Sequence, residues 1–178
     1  MKIIKTAFDD LYIMEYGSFK DGRGEFVKTI HEETFASHGL NHQYTESFYS
    51  VSKKNVIRGM HFQIPPADHV KLVYVVTGAI IDVVLDIRKE SLTFGQVFSL
   101  ALNSQNRKGI YIGKGFAHGF LSLEDNTTVE YHTSTSQDRA LEAGIKYDSF
   151  GFDWKTPQPV ISERDQQFQS FSDFKNKT

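Results

Sequence analysis

Residues Lys71–Ile87, KLVYVVTGAIIDVVLDI, decide the fold class. β-Branched and other apolar side chains crowd both sides of Thr77 and Gly78, and no helical three-and-four spacing of polar residues interrupts them. The expectation is two strands, Lys71–Val76 and Ala79–Ile87, joined as a hairpin by that tight turn. Charges at Lys71, Asp82 and Asp86 keep the run from reading as a membrane span. Asp82 and Asp86 share the even face of the second strand, so that face meets water or a polar cavity. For Asp86 the simpler reading is an exposed strand face.

Working outward, Glu25–Ile30, Ser47–Ser52 and Val56–Gln63 precede this stretch as strand-like runs. Gln96–Leu102, Lys108–Ile112, His118–Leu123 and Thr127–Ser134 follow it, separated by turn residues such as Asn103 with Ser104 and Asp125 with Asn126. Short strands at regular spacing without intervening helices argue for a sandwich or barrel rather than a βαβ fold. His31–His38 predicts one short helix. Trp154, Val160, Ile161, Phe168 and Phe171 predict that the polar tail, about 153–178, packs back on the body. No linker or repeat divides the chain, so residues 1–178 read as a single all-β domain.

The chain has 178 residues, 39% hydrophobic and 24% charged, which suits one buried core and excludes a disordered chain. Twenty Lys plus Arg against 22 Asp plus Glu leave a charge of −2, so no basic field calls for nucleic acid. The absence of Cys excludes disulfides, a thiol nucleophile and thiolate zinc sites. Met1–Asp10 lacks the apolar length of a signal peptide. A cytoplasmic protein with neither nucleic-acid nor membrane partners is expected.

Ionisable residues inside apolar runs are the candidates for chemistry. VIRGMHFQ, Val56–Gln63, places Ile57, Gly59, His61 and Gln63 on one face of an extended strand and Arg58, Met60 and Phe62 on the other. Lys71 opens an apolar strand. GKGFAHGF, Gly113–Phe120, leads from a glycine-rich bend to His118, and Tyr131 stands between Glu130 and His132. Taken singly, each has an ordinary explanation. A strand histidine can be a hydrogen-bonded core residue, Lys71 an edge charge, and Tyr131 an amphipathic core side chain. Gly113–Gly119 lacks the spacing of a phosphate loop.

Taken together they carry a resemblance. RGMHFQ at Arg58–Gln63, then Pro65 and Pro66, Lys71, Gly78, Asp82, DIR at Asp86–Arg88, TFG at Thr93–Gly95 and GFAHGF at Gly115–Phe120 resemble the dTDP-4-dehydrorhamnose 3,5-epimerase family. DGRG at Asp21–Gly24 upstream, and Trp154 with SERD at Ser162–Asp165 downstream, extend the resemblance over nearly the whole chain. It implies a cupin-type jelly-roll barrel with a few short peripheral helices, assembled as a homodimer. It implies an isomerase acting on a nucleoside-diphosphate 4-keto-6-deoxy sugar, dTDP-linked in the family, in deoxysugar (rhamnose-like) biosynthesis. Cupins often bind a metal through His-x-His, a later Glu and a distant His. Here Gln63 stands where the second His would be, and Ile64–Val70 contains no Glu. Metal-free acid–base chemistry without a cofactor is therefore the expectation.

By the resemblance His61 is the base, and Asp165 holds its other ring nitrogen and stabilises the imidazolium. Lys71 places charge near the enolate oxygen. Tyr131, a phenol that keeps its proton at neutral pH, returns a proton from the opposite face. Arg23 and Arg58 match substrate-contact positions suited to a diphosphate. Gln43, His118, Glu142 and Arg164 match further substrate contacts, with Arg164 standing where Lys is commoner. Two departures fall in the part of the site that holds nucleotide and sugar. Lys28 replaces a usual Glu, and Thr45 stands where an Asn commonly follows Gln43 by two residues. The nucleotide, the sugar and the number of inverted centres stay open on the sequence. Alternatives are a non-catalytic sugar-nucleotide-binding cupin and a keto-sugar isomerase; the joint presence of base and opposite-face acid favours the epimerase.

Overall fold

The computed structural model describes residues 1–177. Two antiparallel sheets face each other. One has the order β1 (Lys2–Lys5), β2 (Leu11–Glu15), β10 (Lys108–Ile112), β7 (Lys71–Thr77), β12 (Thr127–Thr133), β5 (Glu46–Ser52). The other runs β13 (Glu142–Gly144), β6 (Ile57–Gln63), β11 (Phe116–Ser122), β8 (Ala79–Asp86), β9 (Val97–Asn103). A separate hairpin pairs β3 (Ser18–Asp21) with β4 (Gly24–Val27), and its side chains are largely exposed. Helices are short: α1 (Glu32–Ser37), α2 (Glu163–Gln166) and α3 (Phe171–Lys177). Among the described residues no helix is long and apolar enough to cross a membrane.

The expected hairpin at Thr77 and Gly78 does not form. β7 pairs with β10 and β12, whereas β8 pairs with β11 and β9, so the turn carries the chain from one sheet to the other. Gly78 makes this corner with φ +80°, and a Cβ there would stand 2.3 Å from Thr127 Oγ1. Ile80, Val84, Phe116, Phe120, Val73, Val75, Ile110 and Val129 fill the space between the sheets. Ile57, Met60, Val83, Leu85 and Leu121 turn outward and are covered by Trp154, Phe171 and Phe174 of the tail, as its apolar content predicted. Val160 is the exception. Its backbone bonds Ile57 and Asn55, but its side chain is 58% exposed. On the opposite flank Phe35 of α1 and Leu40 pack on Met14, Leu72 and Tyr111.

Asp86 is fully buried, not on an exposed face. Arg88, Ser91 and Thr93 all donate to its carboxylate, at 2.6–2.9 Å, and satisfy the charge inside the fold. Asp82 is also buried and turns into the barrel, in line with the polar-cavity reading of that face.

Candidate active site

A cavity of about 320 Å³ opens between the sheets, lined on one side by β6, β11 and β13 and on the other by β5, β7 and β12. Regular alternation on β6 would send Arg58 and His61 to opposite faces, and the structure corrects that expectation. Against β11 the register runs His118↔His61 but Phe120↔Arg58, so three steps on β6 oppose two on β11. This extra residue is a β-bulge, and it swings both Arg58 and His61 to the cavity while Ile57 and Met60 face the tail. Gly59 makes the bulge possible. Its φ is +126°, and a Cβ would lie 2.6 Å from the Cα of Gly119.

Asp165 ties the bulge to the site. Ser162 caps α2 by accepting from the Asp165 N–H, which fixes the start of the helix and points the Asp165 carboxylate inward. One carboxylate oxygen accepts the Gly59 N–H at 3.0 Å, and the other lies 2.9 Å from His61 Nε2. Burial opposes the Asp165 charge. The hydrogen bonds from His61, Gly59 and Ser162 and the attraction of His61 outweigh it and hold the carboxyl at about 2. An ionised carboxylate can only accept, so Nε2 keeps its proton and donates it in this hydrogen bond, and the neutral ring presents Nδ1 as its basic atom. Burial lowers the His61 pKa, helped by Lys71 and Arg164 and opposed by Asp165, so the imidazole is neutral at neutral pH.

Lys71, at the start of β7, donates to the His61 carbonyl at 3.3 Å. Burial draws its pKa down to about 8, against the pull of Glu142 and Asp82. Tyr131 projects from β12, in the opposite sheet to His61, and burial pushes its phenol well up despite the Ser50 hydroxyl and Arg58 nearby. Phe48 stacks on the Tyr131 ring with centroids 4.9 Å apart. His118, beside His61 on β11, is 2.7 Å from Asp82. Arg164 spans the mouth, bonding Glu142 at 3.0 Å, and Gln137 donates to the same Glu142 side chain at 2.6 Å.

His61, Tyr131, Lys71, Arg58, His118, Glu142 and Arg164 thus share one cavity, with Asp165 directly behind His61. Arg23 and Gln43 do not reach it. Arg23 sits at the tip of the β3–β4 hairpin, 90% exposed and paired with Asp21. Gln43 is exposed between α1 and β5, and Thr45 bonds the Ser134 carbonyl outside the cavity; Lys28 is exposed just beyond β4. The wall begins three residues past Gln43, at Glu46, and continues with Phe48 and Ser50. No motif marks these three, but alternation along Glu46–Ser52 places them on one face. Gln63 does not act as a ligand-like neighbour of His61. Its amide donates to the Ala67 carbonyl and its oxygen accepts the Asp138 N–H. Among the described residues no group of three or more His, Cys, Asp or Glu is arranged to hold a metal ion.

Fold and cavity define the class: a cupin-type jelly roll whose barrel carries an imidazole–carboxylate pair on one side and a phenol on the other. Residues 5–173 match the sequence profile of the dTDP-4-dehydrorhamnose 3,5-epimerase family, and the chain belongs to that family. It is 35% identical over 176 residues to the dTDP-4-dehydrorhamnose 3,5-epimerase of Shigella flexneri, covering 97% of each chain. It superposes on the crystal structure of the Elizabethkingia anophelis enzyme of that name with a TM-score of 0.91 and 35% identity, covering 97% of each chain. The dTDP-6-deoxy-D-glucose-3,5-epimerase of Legionella pneumophila in complex with dTDP-4-keto-L-rhamnose gives a TM-score of 0.91 at 31% identity, covering 96% of this chain and 93% of that one.

Proposed function

We propose that this chain inverts carbon 3, carbon 5 or both in a nucleoside-diphosphate 4-keto-6-deoxy sugar, in deoxysugar biosynthesis, using its own acid–base groups. The observation that carries this reading is the opposition of a neutral His61 and a protonated Tyr131 across one cavity that Lys71 also lines. The ketone acidifies the hydrogens on its two flanking carbons. His61 Nδ1 takes such a proton, the C–H electron pair becomes the enolate double bond, and Lys71 stabilises the charge arriving on oxygen. Tyr131 then gives its proton to the opposite face of the same carbon. The imidazolium that forms is stabilised by Asp165, and solvent resets both groups.

The sugar occupies the cavity. Arg58 and Arg164 line both it and an adjoining outer groove of about 400 Å³, a position suited to a diphosphate at the junction. A dTDP carrier is supported by the Legionella relative, described with dTDP-4-keto-L-rhamnose bound. We assign residues 1–178 to one catalytic domain working in the cytoplasm as a homodimer. Exposed Phe19 and Phe26, paired across the β3–β4 hairpin, together with Tyr49 and Val51 on edge strand β5, supply surface for that association.

Proton NMR of a dTDP-4-keto-6-deoxyhexose in deuterated water tests the reading. The wild type should wash out the hydrogens flanking the ketone and change their couplings. His61→Asn should abolish washout at every carbon, while Tyr131→Phe should retain washout and lose inversion. Washout by both variants at the wild-type rate, with inversion intact, would defeat the assignment.

A further inference from the structure

Arg58 reaches from β6 to the opposite sheet and is gripped there by the end of β5. Its Nε–H donates to Ser52 Oγ at 3.0 Å, and one Nη2–H donates to the Val51 carbonyl at 3.2 Å. Nε–H and the Nη2–H beside it form the side-on edge of a guanidinium, so β5 fills that edge. Among the described residues Arg58 has no other hydrogen bond or ion pair. The end-on edge, Nη1 with the second Nη2–H, is left free, on a residue that is exposed and lines both the cavity and the outer groove. Ser52 is 2% exposed and lines neither.

The grip is not needed to close the turn between β5 and β6. Lys54 N–H bonds the Asp125 carboxylate and Asn55 N–H bonds the Ser122 carbonyl, both at 2.9 Å, and Ser122 N–H returns to the Val56 carbonyl at 2.8 Å. What the grip does is remove rotamer freedom from an exposed arginine before any ligand arrives, which lowers the cost of binding one. The edge left open matches two oxygens of a single phosphoryl group. We propose that Ser52 is a positioning residue for substrate: with the Val51 carbonyl it turns Arg58 so that the end-on edge meets one phosphate of the sugar's nucleoside diphosphate. This rests on the epimerase reading and names both the edge of Arg58 that meets the diphosphate and the residue that sets it. Ser52 acts through Arg58 alone, so its effect falls on binding and not on the proton transfers at the sugar.

Titration calorimetry with dTDP, and with inorganic pyrophosphate, reads the effect. Ser52→Ala frees the arginine, so the Kd for each should rise about three- to tenfold, the scale of ordering one long side chain on binding. KM for the keto sugar should rise by the same factor with kcat unchanged. Ser52→Thr keeps the hydroxyl and should restore wild-type affinity. In an Arg58→Ala background Ser52→Ala should change nothing further, because Ser52 then has no group to orient. Should Ser52→Ala fold poorly, NMR of the wild type decides. The Arg58 Nε–H should exchange slowly with solvent in the free protein and hold its resonance position when dTDP binds, while the Nη resonances move. Unchanged affinity in Ser52→Ala, an equal loss in the Arg58→Ala background, or an Nε–H resonance that moves further than the Nη resonances would each overturn the assignment and leave the epimerase reading intact. No washout by the wild type, with the coupling of Ser52 to Arg58 in dTDP binding intact, would overturn the epimerase reading and leave the orientation of Arg58 standing.

Discussion

Asp165 has two duties, and a single substitution separates them. Its carboxylate accepts from Gly59 N–H through one oxygen and from His61 Nε2 through the other. In Asp165→Asn only one oxygen remains, and the Gly59 N–H, which has no alternative, claims it. The new NH₂ group then faces His61 Nε2, which must accept, so the ring proton moves to Nδ1 and caps the basic atom. Washout should fall by roughly 10³–10⁴-fold, the scale of the same change in a Ser-His-Asp triad, with little loss of fold. Activity within tenfold of wild type would show that tautomer control is not the role of Asp165. The same groups set a pH profile. Protonated His61 cannot accept, so activity rises with pH through its pKa, which burial holds below that of a free imidazole. Lys71 loses its charge through about 8, so activity then falls. In Lys71→Arg the cation persists to far higher pH and the falling limb should move out of the measurable range, whatever the loss in amplitude. A falling limb unchanged in Lys71→Arg would assign it to another group.

At the scale of the strand, β6 explains both what the sequence discloses and what it hides. Gly59 and Gly119 let two backbones approach so closely that an extra residue fits, and this turns Arg58 and His61 to one side. Gly59→Ala asks a side chain to adopt φ +126° and to overlap the Gly119 Cα. It should destabilise by more than about 1 kcal/mol, lowering the melting temperature by at least roughly 2–4 °C. Surviving protein should have lost washout, because regular alternation would take Arg58 out of the cavity. Calorimetry and washout on one preparation check this, and a fully active Gly59→Ala would refute the bulge argument. Local patterning reveals runs of β-branched and aromatic residues bounded by turn residues, which is why β7, β8, β10 and β12 are legible. It does not reveal which sheet a strand joins, since a corner and a hairpin both need a tight turn and a glycine at position 78. Nor does it reveal β1 or β3, four-residue strands too short to show a period, each paired with the next strand along the chain. His61, Lys71 and Tyr131 stand out as polar residues in apolar runs. Asp165 does not, because its meaning comes from Gly59 and His61, about a hundred residues upstream.

At the scale of the molecule, the placement of Arg23 points across a subunit boundary. The resemblance gives it a substrate contact, yet its hairpin holds it away from its own cavity, with Phe19 and Phe26 open to solvent. Both facts are reconciled if the hairpin of one protomer lies over the cavity of its partner in the proposed homodimer, burying the two phenylalanines and delivering Arg23 in trans. Complementation decides the point. Arg23→Ala and His61→Asn chains are each impaired alone. Mixed, unfolded and refolded together, about half the dimers are heterodimers, and each contains one cavity with an intact His61 facing an intact Arg23 from the other chain. Washout should recover to roughly a quarter of the wild-type level. If Arg23 served its own cavity, one site of each heterodimer would lack the arginine and the other the base, and mixing would restore nothing. Phe19→Asp with Phe26→Asp should yield monomers in sedimentation and abolish the recovery, whereas dimers of unchanged affinity would place the association elsewhere on the surface.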